Sequence, residues 1–366
     1  MLLNVDTLFR PLTIGPVTAP NRFMRSATHE SASDADGMPL AAPMTRIYGD
    51  LARGGAGLIV IGHTYVHPNG RAGMKQNGLQ SDNHARAWEE ILRAIRPHTK
   101  APIFVQLTYA GRQGYAAGSV SLGNDRRERF PPSGTPFNEF FDRQIENVIE
   151  AFGKAAERAV TAGFDGVQIH MAHGYLLSEC LSPATNQRTD AWGGSDVENR
   201  RRLPLAVVDR VRQALDGRLA LAVKLNGADG TPDAPGVTVA EAAETAKELE
   251  ARGVQMIEVS GGNPARAVTT LDTEGYLMPL ARAVAASVGC AVATVGGYRT
   301  ASSMVRAINE GLDLVSLSRP LIREPDLPNR IARDAAHAAT CISCNKCFKI
   351  ASGALRCMID HSEPLE

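Results

Sequence analysis

The chain has 366 residues, 39 Lys and Arg against 39 Asp and Glu, and 44% hydrophobic residues, which predicts a soluble globule holding one large barrel or two ordinary domains. A net charge of zero gives no electrostatic attraction for a phosphate backbone, and 5% aromatic residues leave few side chains on which bases could stack. Both features argue against nucleic acid as a partner. No apolar run approaches the ~18 residues that span a bilayer. Residues 1–15 contain Asp6 and Arg10 and lack a cleavage site, so we expect a cytoplasmic protein with no membrane partner.

Eight short apolar segments recur along the chain, and longer stretches with helical spacing lie between them. The segments are residues 21–27, 57–66, 103–109, 166–172, 219–226, 256–262, 291–297 and 314–320. Helices are predicted over residues 84–98, 144–163, 195–215 and 238–253. Near-continuous apolar strands that alternate with helices are typical of a parallel sheet covered on its outside. Eight such units predict an α/β fold, a closed (β/α)₈ TIM barrel.

The alternative fold is an open, doubly wound sheet. That fold favours a G-x-G-x-x-G turn after its first strand, and the sequence has none there. No linker rich in Pro and Gly and no block of charge divides the chain. We therefore predict one barrel domain over residues 1–335, with a Cys-rich extension over residues 336–366 that is not an independent domain.

Polar residues follow or end several of the predicted strands. They are Thr28, His29, His63, Gln106, His170, His173, Lys224 and Asn226. An isolated histidine at a strand end more often caps a helix or satisfies a loop than takes part in a reaction. In a TIM barrel, however, the carboxyl ends of all the strands meet at one mouth, where the chemistry takes place. The convergence of this set favours an active site there.

Several motifs resemble the Old Yellow Enzyme family of flavin-dependent oxidoreductases. The longest is "QIHMAHGYLLSECLSPATNQRTDAWGGSDVENRRR" over residues 168–202, and the others are "NRFMRSATHE", "QLTYAGRQG", "VGGYRT" and "LSRPLIREPDLPN". The resemblance covers residues 5–335 and is nearest to the branch of 2,4-dienoyl-CoA reductases and single-domain ene-reductases. It implies a bound FMN, NAD(P)H as the electron donor, and reduction of a carbon–carbon double bond in a small-molecule activated alkene.

The predicted catalytic residues lie in one loop after the fourth strand. Neutral imidazoles at His170 and His173 can donate N–H bonds to an oxygen that gains negative charge as hydride is added. Tyr175 has an ordinary pKa of about 10, so it stays protonated and can give its proton to carbon. The alternative is that Tyr175 only packs against the following "LLSECL" segment.

The resemblance also implies a set of flavin-binding residues. Lys224 suits the flavin N1 and C2 oxygen, and Gln106 suits the pyrimidine edge. Backbone at Gly296 and Gly297, with Ser318 and Arg319, falls where such barrels hold a phosphate, although glycine pairs occur in many tight turns. The segment Ala27, Thr28 and His29, together with His63, completes the predicted cofactor-binding set. His29 and His63 depart from the better-known members of the family, many of which carry Thr or Cys at the first position and a small residue at the second. The dienoyl-CoA reductase branch resembles this chain in having His at the first position.

Four of the six cysteines lie close together, at Cys341, Cys344, Cys347 and Cys357. Thiolates at this spacing can bind a 4Fe-4S cluster or a tetrahedral zinc ion, and four reduced thiols without a metal remain an alternative. Dienoyl-CoA reductases have a similar element, but with three residues between their second and third cysteines where this chain has two. We expect Cys180 and Cys290 to be ordinary buried cysteines.

Two other functions are compatible with the sequence. Lys224 at a strand end could form a Schiff base in an aldolase-type barrel. Alternatively, the chain could be a non-enzymatic barrel whose metal-bearing tail docks a partner. The sequence leaves open the physiological substrate, the choice of NADH or NADPH, and the oligomeric state, including a homo-oligomer.

Overall fold

The computed structural model describes residues 4–115, 130–230, 235–262, 273–348 and 353–359. Eight parallel strands close into a barrel in which each strand pairs with its neighbours in chain order, and the last pairs with the first. These strands are β3 (Phe23–Arg25), β4 (Leu58–Tyr65), β5 (Ile103–Thr108), β6 (Gly166–Met171), β7 (Ala220–Asn226), β8 (Met256–Ser260), β9 (Ala291–Val295) and β10 (Leu314–Leu317). All eight predicted strands and the TIM barrel are thereby confirmed.

Helices surround the barrel and bury their apolar sides against it. They are α1 (Ala41–Arg53), α2 (Asp82–Ile95), α3 (Asp142–Ala162), α4 (Leu176–Leu181), α5 (Val197–Leu215), α6 (Val239–Ala251), α7 (Met278–Ala285), α8 (Ala301–Asn309), α9 (Arg319–Arg323) and α10 (Leu327–Arg333). The four helices predicted from periodicity correspond to α2, α3, α5 and α6. Thr238 and Glu241 form a capping box that fixes the start of α6.

A short antiparallel hairpin precedes the barrel and was not predicted. Its strands, β1 (Leu12–Ile14) and β2 (Val17–Ala19), are joined by a tight turn in which Gly15 has a φ of +56°. Ile14 and Ala19 pack in one apolar cluster with the first residues of several barrel strands, including Leu58 and Met256. The hairpin therefore closes the amino end of the barrel, which leaves the carboxyl end as the open mouth.

The described part of the C-terminal extension returns to the barrel. Thr300 pairs with Ala338 in an isolated bridge, and the N–H of Leu355 donates to the carbonyl of Glu30 at 2.7 Å. Within the described ranges, no helix is both long enough and apolar enough to cross a membrane.

Candidate active site

A cavity of about 830 Å³ occupies the mouth of the barrel. Most of the residues predicted from sequence line it: Ala27, Thr28, His29, His63, Gln106, His170, His173, Tyr175, Lys224, Gly297, Ser318 and Arg319. Gly296 does not line the cavity, and its carbonyl accepts the N–H of Gly275 at 2.6 Å. The convergence of strand ends expected from the fold thus places nearly the whole predicted set around one space.

The rings of His170 and His173 pack edge-to-face in the wall of this cavity. Their ring centroids are 5.1 Å apart and the planes meet at 87°. The N–H of Ala172 donates to His170 Nδ1 at 3.2 Å, so the neutral ring of His170 carries its hydrogen on Nε2. His173 Nε2 lies 2.8 Å from Ser260 Oγ, which leaves its Nδ1 for a ligand.

The loop that carries His173 is held in an uncommon conformation. His173 has a φ of +66°, in the left-handed region that non-glycine residues rarely adopt. Asn226 Oδ1 accepts its N–H at 3.1 Å, and the Asn226 side-chain amide in turn donates to Ser178 Oγ at 3.1 Å. Ser178 Oγ also accepts the N–H of Gly174 at 3.2 Å. This bonding fixes the turn and directs the His173 ring towards His170, as expected where backbone strain is maintained at a functional site.

Burial keeps all four imidazoles of the mouth neutral. It lowers the pKa of His29 to about 4 and that of His173 to about 3, with positive charges nearby adding to the effect. It also lowers the pKa of His63 and His170 well below the ordinary value, with the neighbouring histidines and Lys224 contributing. Neutral rings are hydrogen-bond donors without being acids at physiological pH.

Tyr175 lies between the two histidine pairs. Its hydroxyl is 3.2 Å from His63 Nε2, and its ring centroid is 5.0 Å from that of His170. Burial raises the pKa of Tyr175 to about 12, so the phenol is fully protonated at neutral pH. The alternative, that Tyr175 only packs against α4, does not account for its contacts with two imidazoles.

Lys224 belongs to a buried polar network that the sequence analysis did not predict. Its Nζ donates to Ser26 Oγ at 2.8 Å and to Glu258 Oε1 at 3.0 Å, and the two charged side chains are only 4% and 0% exposed. Burial would raise the pKa of Glu258, but Lys224 and the hydroxyls of Ser26 and Ser316 hold it below its ordinary value. The signal for this network was present in the sequence, because Glu258 is a charged residue inside the apolar strand "MIEVS".

Gln106 reaches the same network through a neighbour. Its amide nitrogen donates to Gln168 Oε1 at 2.7 Å, and the Gln168 nitrogen donates to Glu258 Oε2 at 2.9 Å. Both glutamines are buried, on adjacent strands β5 and β6. The network connects five barrel strands, β5, β6, β7, β8 and β10, and holds the polar groups in fixed positions.

The predicted phosphate end of the cavity is formed by the barrel and the C-terminal extension together. Ser318 Oγ lies 2.8 Å from Thr28 Oγ1, next to Arg319. Arg319 donates to Asn345 Oδ1 at 2.7 Å and to the carbonyl of Ser343 at 3.4 Å, so the extension covers this side of the mouth. Gly297, with a φ of +73°, brings backbone to the same wall.

The four clustered cysteines surround one small cavity of about 20 Å³, together with Arg319 and Arg323. Burial raises the pKa of Cys347 to about 11 and also raises that of Cys341. Within the described ranges, no group of three or more His, Cys, Asp or Glu side chains is placed to hold a metal ion. The metal centre predicted from the spacing is therefore not supported by this arrangement, although four thiols are the donors that iron-sulfur clusters and zinc require.

The cavity meets the requirements of a flavin. His29 Nδ1 is buried and has no hydrogen-bond partner among the described residues, so a ligand with polar edge atoms would satisfy it. The ammonium of Lys224 and the guanidinium of Arg319 lie in different parts of the wall and suit an electron-rich ring and a phosphate. The residues present therefore fit bound FMN.

Comparisons with known proteins agree with this site. The model of the NADH:flavin oxidoreductase / NADH oxidase family matches residues 7–337. An NADPH dehydrogenase of Geobacillus sp. (strain WCH70) is 33% identical over 335 residues, which are 89% of this chain and 94% of the relative. An old yellow enzyme homologue from Zymomonas mobilis superimposes with a TM-score of 0.73 at 27% identity, covering 90% of this chain and 94% of that one. A 2-naphthoyl-CoA reductase gives a TM-score of 0.82 at 25% identity, and 93% of this chain matches 54% of that longer chain.

Fold, cavity and relatives together define a class: TIM-barrel oxidoreductases that use FMN and NAD(P)H. The chain belongs to the NADH:flavin oxidoreductase / NADH oxidase family. The resemblance to Old Yellow Enzyme found in the sequence is thereby confirmed, and so is the prediction that the protein is an enzyme.

Proposed function

We propose that the protein reduces the carbon–carbon double bond of activated alkenes, such as enones, enals, nitroalkenes or dienoyl compounds. Bound FMN would supply the hydride chemistry, with NAD(P)H as the source of electrons. The observation that carries the proposal is the arrangement of His170, His173 and Tyr175 around one cavity, with both imidazoles neutral and the phenol protonated. Relatives include a protein named NADPH dehydrogenase, whose name gives the electron donor and not the alkene.

The two histidines would bind the oxygen of the activating group. Charge moves onto that oxygen as the double bond accepts hydride, and fixed N–H donors in a dry cavity stabilise it. His170 presents Nε2–H, because its Nδ1 accepts the N–H of Ala172. His173 presents Nδ1, because its Nε2 is engaged with Ser260. A donor at the end of β6 and a donor in the loop that follows it can therefore reach the same oxygen.

Tyr175 would deliver the proton that completes the reduction. Its O–H bond breaks as a C–H bond forms at the second alkene carbon, and the phenolate left behind later takes a proton from water. The phenol is a weak acid, but the alkene carbon that carries negative charge after hydride addition is strongly basic. Proton transfer from Tyr175 to that carbon is therefore energetically favourable. Lys224, Gln106, Thr28, His29, Ser318 and Arg319 would hold the cofactor.

The test separates the two half-reactions in stopped flow. Wild-type protein reconstituted with FMN should release yellow cofactor in acid. The Tyr175→Phe variant should reduce its flavin with NAD(P)H at a nearly unchanged rate. Its reoxidation by 2-cyclohexenone should be slower by about 10²–10⁴-fold. Tyr65→Phe is the matched control, since it removes a buried hydroxyl that bonds to Asp36 outside the cavity. Equal slowing of both half-reactions would show that Tyr175 is structural. Failure of well-folded protein to bind FMN would refute the proposal.

The Schiff-base alternative is disfavoured by the surroundings of Lys224. Its ammonium is paired with buried Glu258, and a nucleophilic amine must be unprotonated. No observation favours the docking alternative. Borohydride trapping of a carbonyl substrate on Lys224 in flavin-free protein would reverse this preference.

A second part of the proposal concerns the cysteines. The spacing and thiol chemistry of the four cysteines motivate a 4Fe-4S cluster or zinc, and the sulfur atoms would have to move closer together than they lie in this structure to bind it. Anaerobically purified protein should contain iron or zinc, and Cys344→Ser should lose it, whereas Cys290→Ser, outside the cluster, should retain it. Protein with neither metal and with all four thiols free to titrate would refute this part.

A further inference from the structure

His63 makes a contact that the sequence did not indicate. Its Nε2 lies 3.2 Å from the hydroxyl of Tyr175, 112 residues away in the chain, and the two rings lie 5.5 Å apart. The other ring nitrogen, Nδ1, is buried and has no partner among the described residues. The ring is packed at 87° against His29, at a centroid distance of 5.0 Å. His63 is thus placed against the phenol rather than in an open position on the cavity wall.

The strand that carries His63 is shaped to place it there. The pairing of β4 with β5 shifts register between Ile61 and Thr64, so β4 has an irregularity at Gly62 and His63. Such bulges redirect a side chain, and they are frequent beside active sites. Buried Glu30 accepts the N–H of Gly62 at 2.7 Å and fixes the bulge. A side chain at Gly62 would collide with the carbonyl of Thr28 at 2.4 Å.

The surroundings of the ring determine which atom donates. If the hydrogen were on Nδ1, a buried N–H would lack an acceptor among the residues that the structure describes, and native structures avoid unpaired buried N–H groups more strictly than unpaired lone pairs. The tautomer with hydrogen on Nε2 leaves only a lone pair unpaired. His63 then donates to the phenolic oxygen of Tyr175, which frees the phenolic hydrogen to point into the cavity.

We propose that His63 is a positioning residue that acts through Tyr175: its Nε2–H directs the phenolic hydrogen towards the alkene carbon and stabilises the phenolate left after proton transfer. This inference rests on the proposed function. The proton that leaves Tyr175 forms the new C–H bond, the electron pair of the O–H bond stays on the phenolic oxygen, and water reprotonates it. His63 donates a hydrogen bond throughout and does not itself lose a proton.

The inference predicts a specific kinetic pattern. His63→Phe keeps a ring and removes the donor, so it should slow reoxidation of the reduced protein by 2-cyclohexenone about 10–100-fold, the effect expected for losing a hydrogen bond to a charged oxygen. Flavin reduction by NAD(P)H, measured in the same variant, should slow less than reoxidation does. His63→Gln, which can place an N–H near the position of Nε2, should recover most of the rate. The solvent isotope effect on reoxidation should rise in His63→Phe, because proton transfer becomes more limiting.

The double variant separates this role from a structural one. In the Tyr175→Phe background, His63→Phe should produce no further slowing, since the acid through which it acts is gone. A changed flavin potential or a loosened bulge would slow both backgrounds equally, and that result would overturn the inference. A His63→Phe variant that reoxidises as fast as the wild type would also overturn it. A wild-type protein that binds FMN but reduces no alkene would refute the proposed function instead.

Discussion

Replacing His170 or His173 with alanine is expected to lower alkene reduction by about 10²–10³-fold, as when one donor to a developing oxyanion is removed. Binding of phenols at the same site should weaken in parallel, because a phenolate presents the same charged oxygen. The measurements are the rate of reoxidation by 2-cyclohexenone and the long-wavelength charge-transfer absorbance with 4-hydroxybenzaldehyde.

The two histidines also differ in a way that an Asn substitution can test. His170 donates through Nε2, the outer ring nitrogen, and His173 is left with Nδ1, the inner one. An asparagine amide reaches about as far as Nδ1, so His173→Asn should keep more activity than His170→Asn. Unchanged phenol binding and unchanged rates in both alanine variants would show that these imidazoles do not hold the oxygen.

Lys224→Met is expected to destabilise the protein by about 3–5 kcal/mol, because it leaves the carboxylate of Glu258 buried without its counter-ion. The double variant Lys224→Met with Glu258→Gln removes both charges and should recover most of that loss. Urea denaturation of flavin-free protein measures the free energy of unfolding without a contribution from FMN affinity. Equal destabilisation of the single and double variants would contradict the role of the pair.

The carboxylate of Glu258 should make the wild-type protein less stable as the pH falls into the acidic range. The folded-state pKa of Glu258 lies below its ordinary value of 4.5, so the unfolded chain binds its proton more readily than the folded protein does. The contribution of this carboxylate is therefore present above pH 4.5 and is lost as the pH falls through the lowered folded value. The double variant should lack this component of acid destabilisation.

Much of the fold could be predicted from sequence because its strands are buried on both sides. Strands such as β5 and β6 are mostly apolar segments buried along their whole length, and the alternation of eight such segments with longer helical stretches specifies a barrel. The hairpin β1–β2 and the helices α1, α4, α7, α8, α9 and α10 had no individual prediction. All of these elements except α1, which has 13 residues, are nine residues long or shorter, which gives a weak periodic signal, and tertiary contacts fix them instead.

The candidate site, like the fold, could be predicted only in part from the sequence. Residues at strand ends, such as His170 and Lys224, could be placed at the mouth from the fold alone. Their partners could not, since the contacts of His63 with Tyr175 and of Lys224 with Ser26 join residues 112 and 198 positions apart. Gly296 and Gly297 were predicted together as phosphate-binding backbone after the seventh strand, and of the two only Gly297 lines the cavity. That residues 336–366 are not an independent domain remains a prediction.

The bonds from Arg319 to Ser343 and Asn345 limit how this protein can be recombined with its relatives. In a chimera of this barrel with a relative's C-terminal segment, Arg319 would lose these two acceptors. The orientation of its guanidinium in the cavity wall would change as a result. The crossover point should therefore lie before α9, so that Arg319 is inherited together with the segment it binds. Barrel and extension are therefore coupled through Arg319 at this corner, even though the barrel alone carries the residues proposed for catalysis.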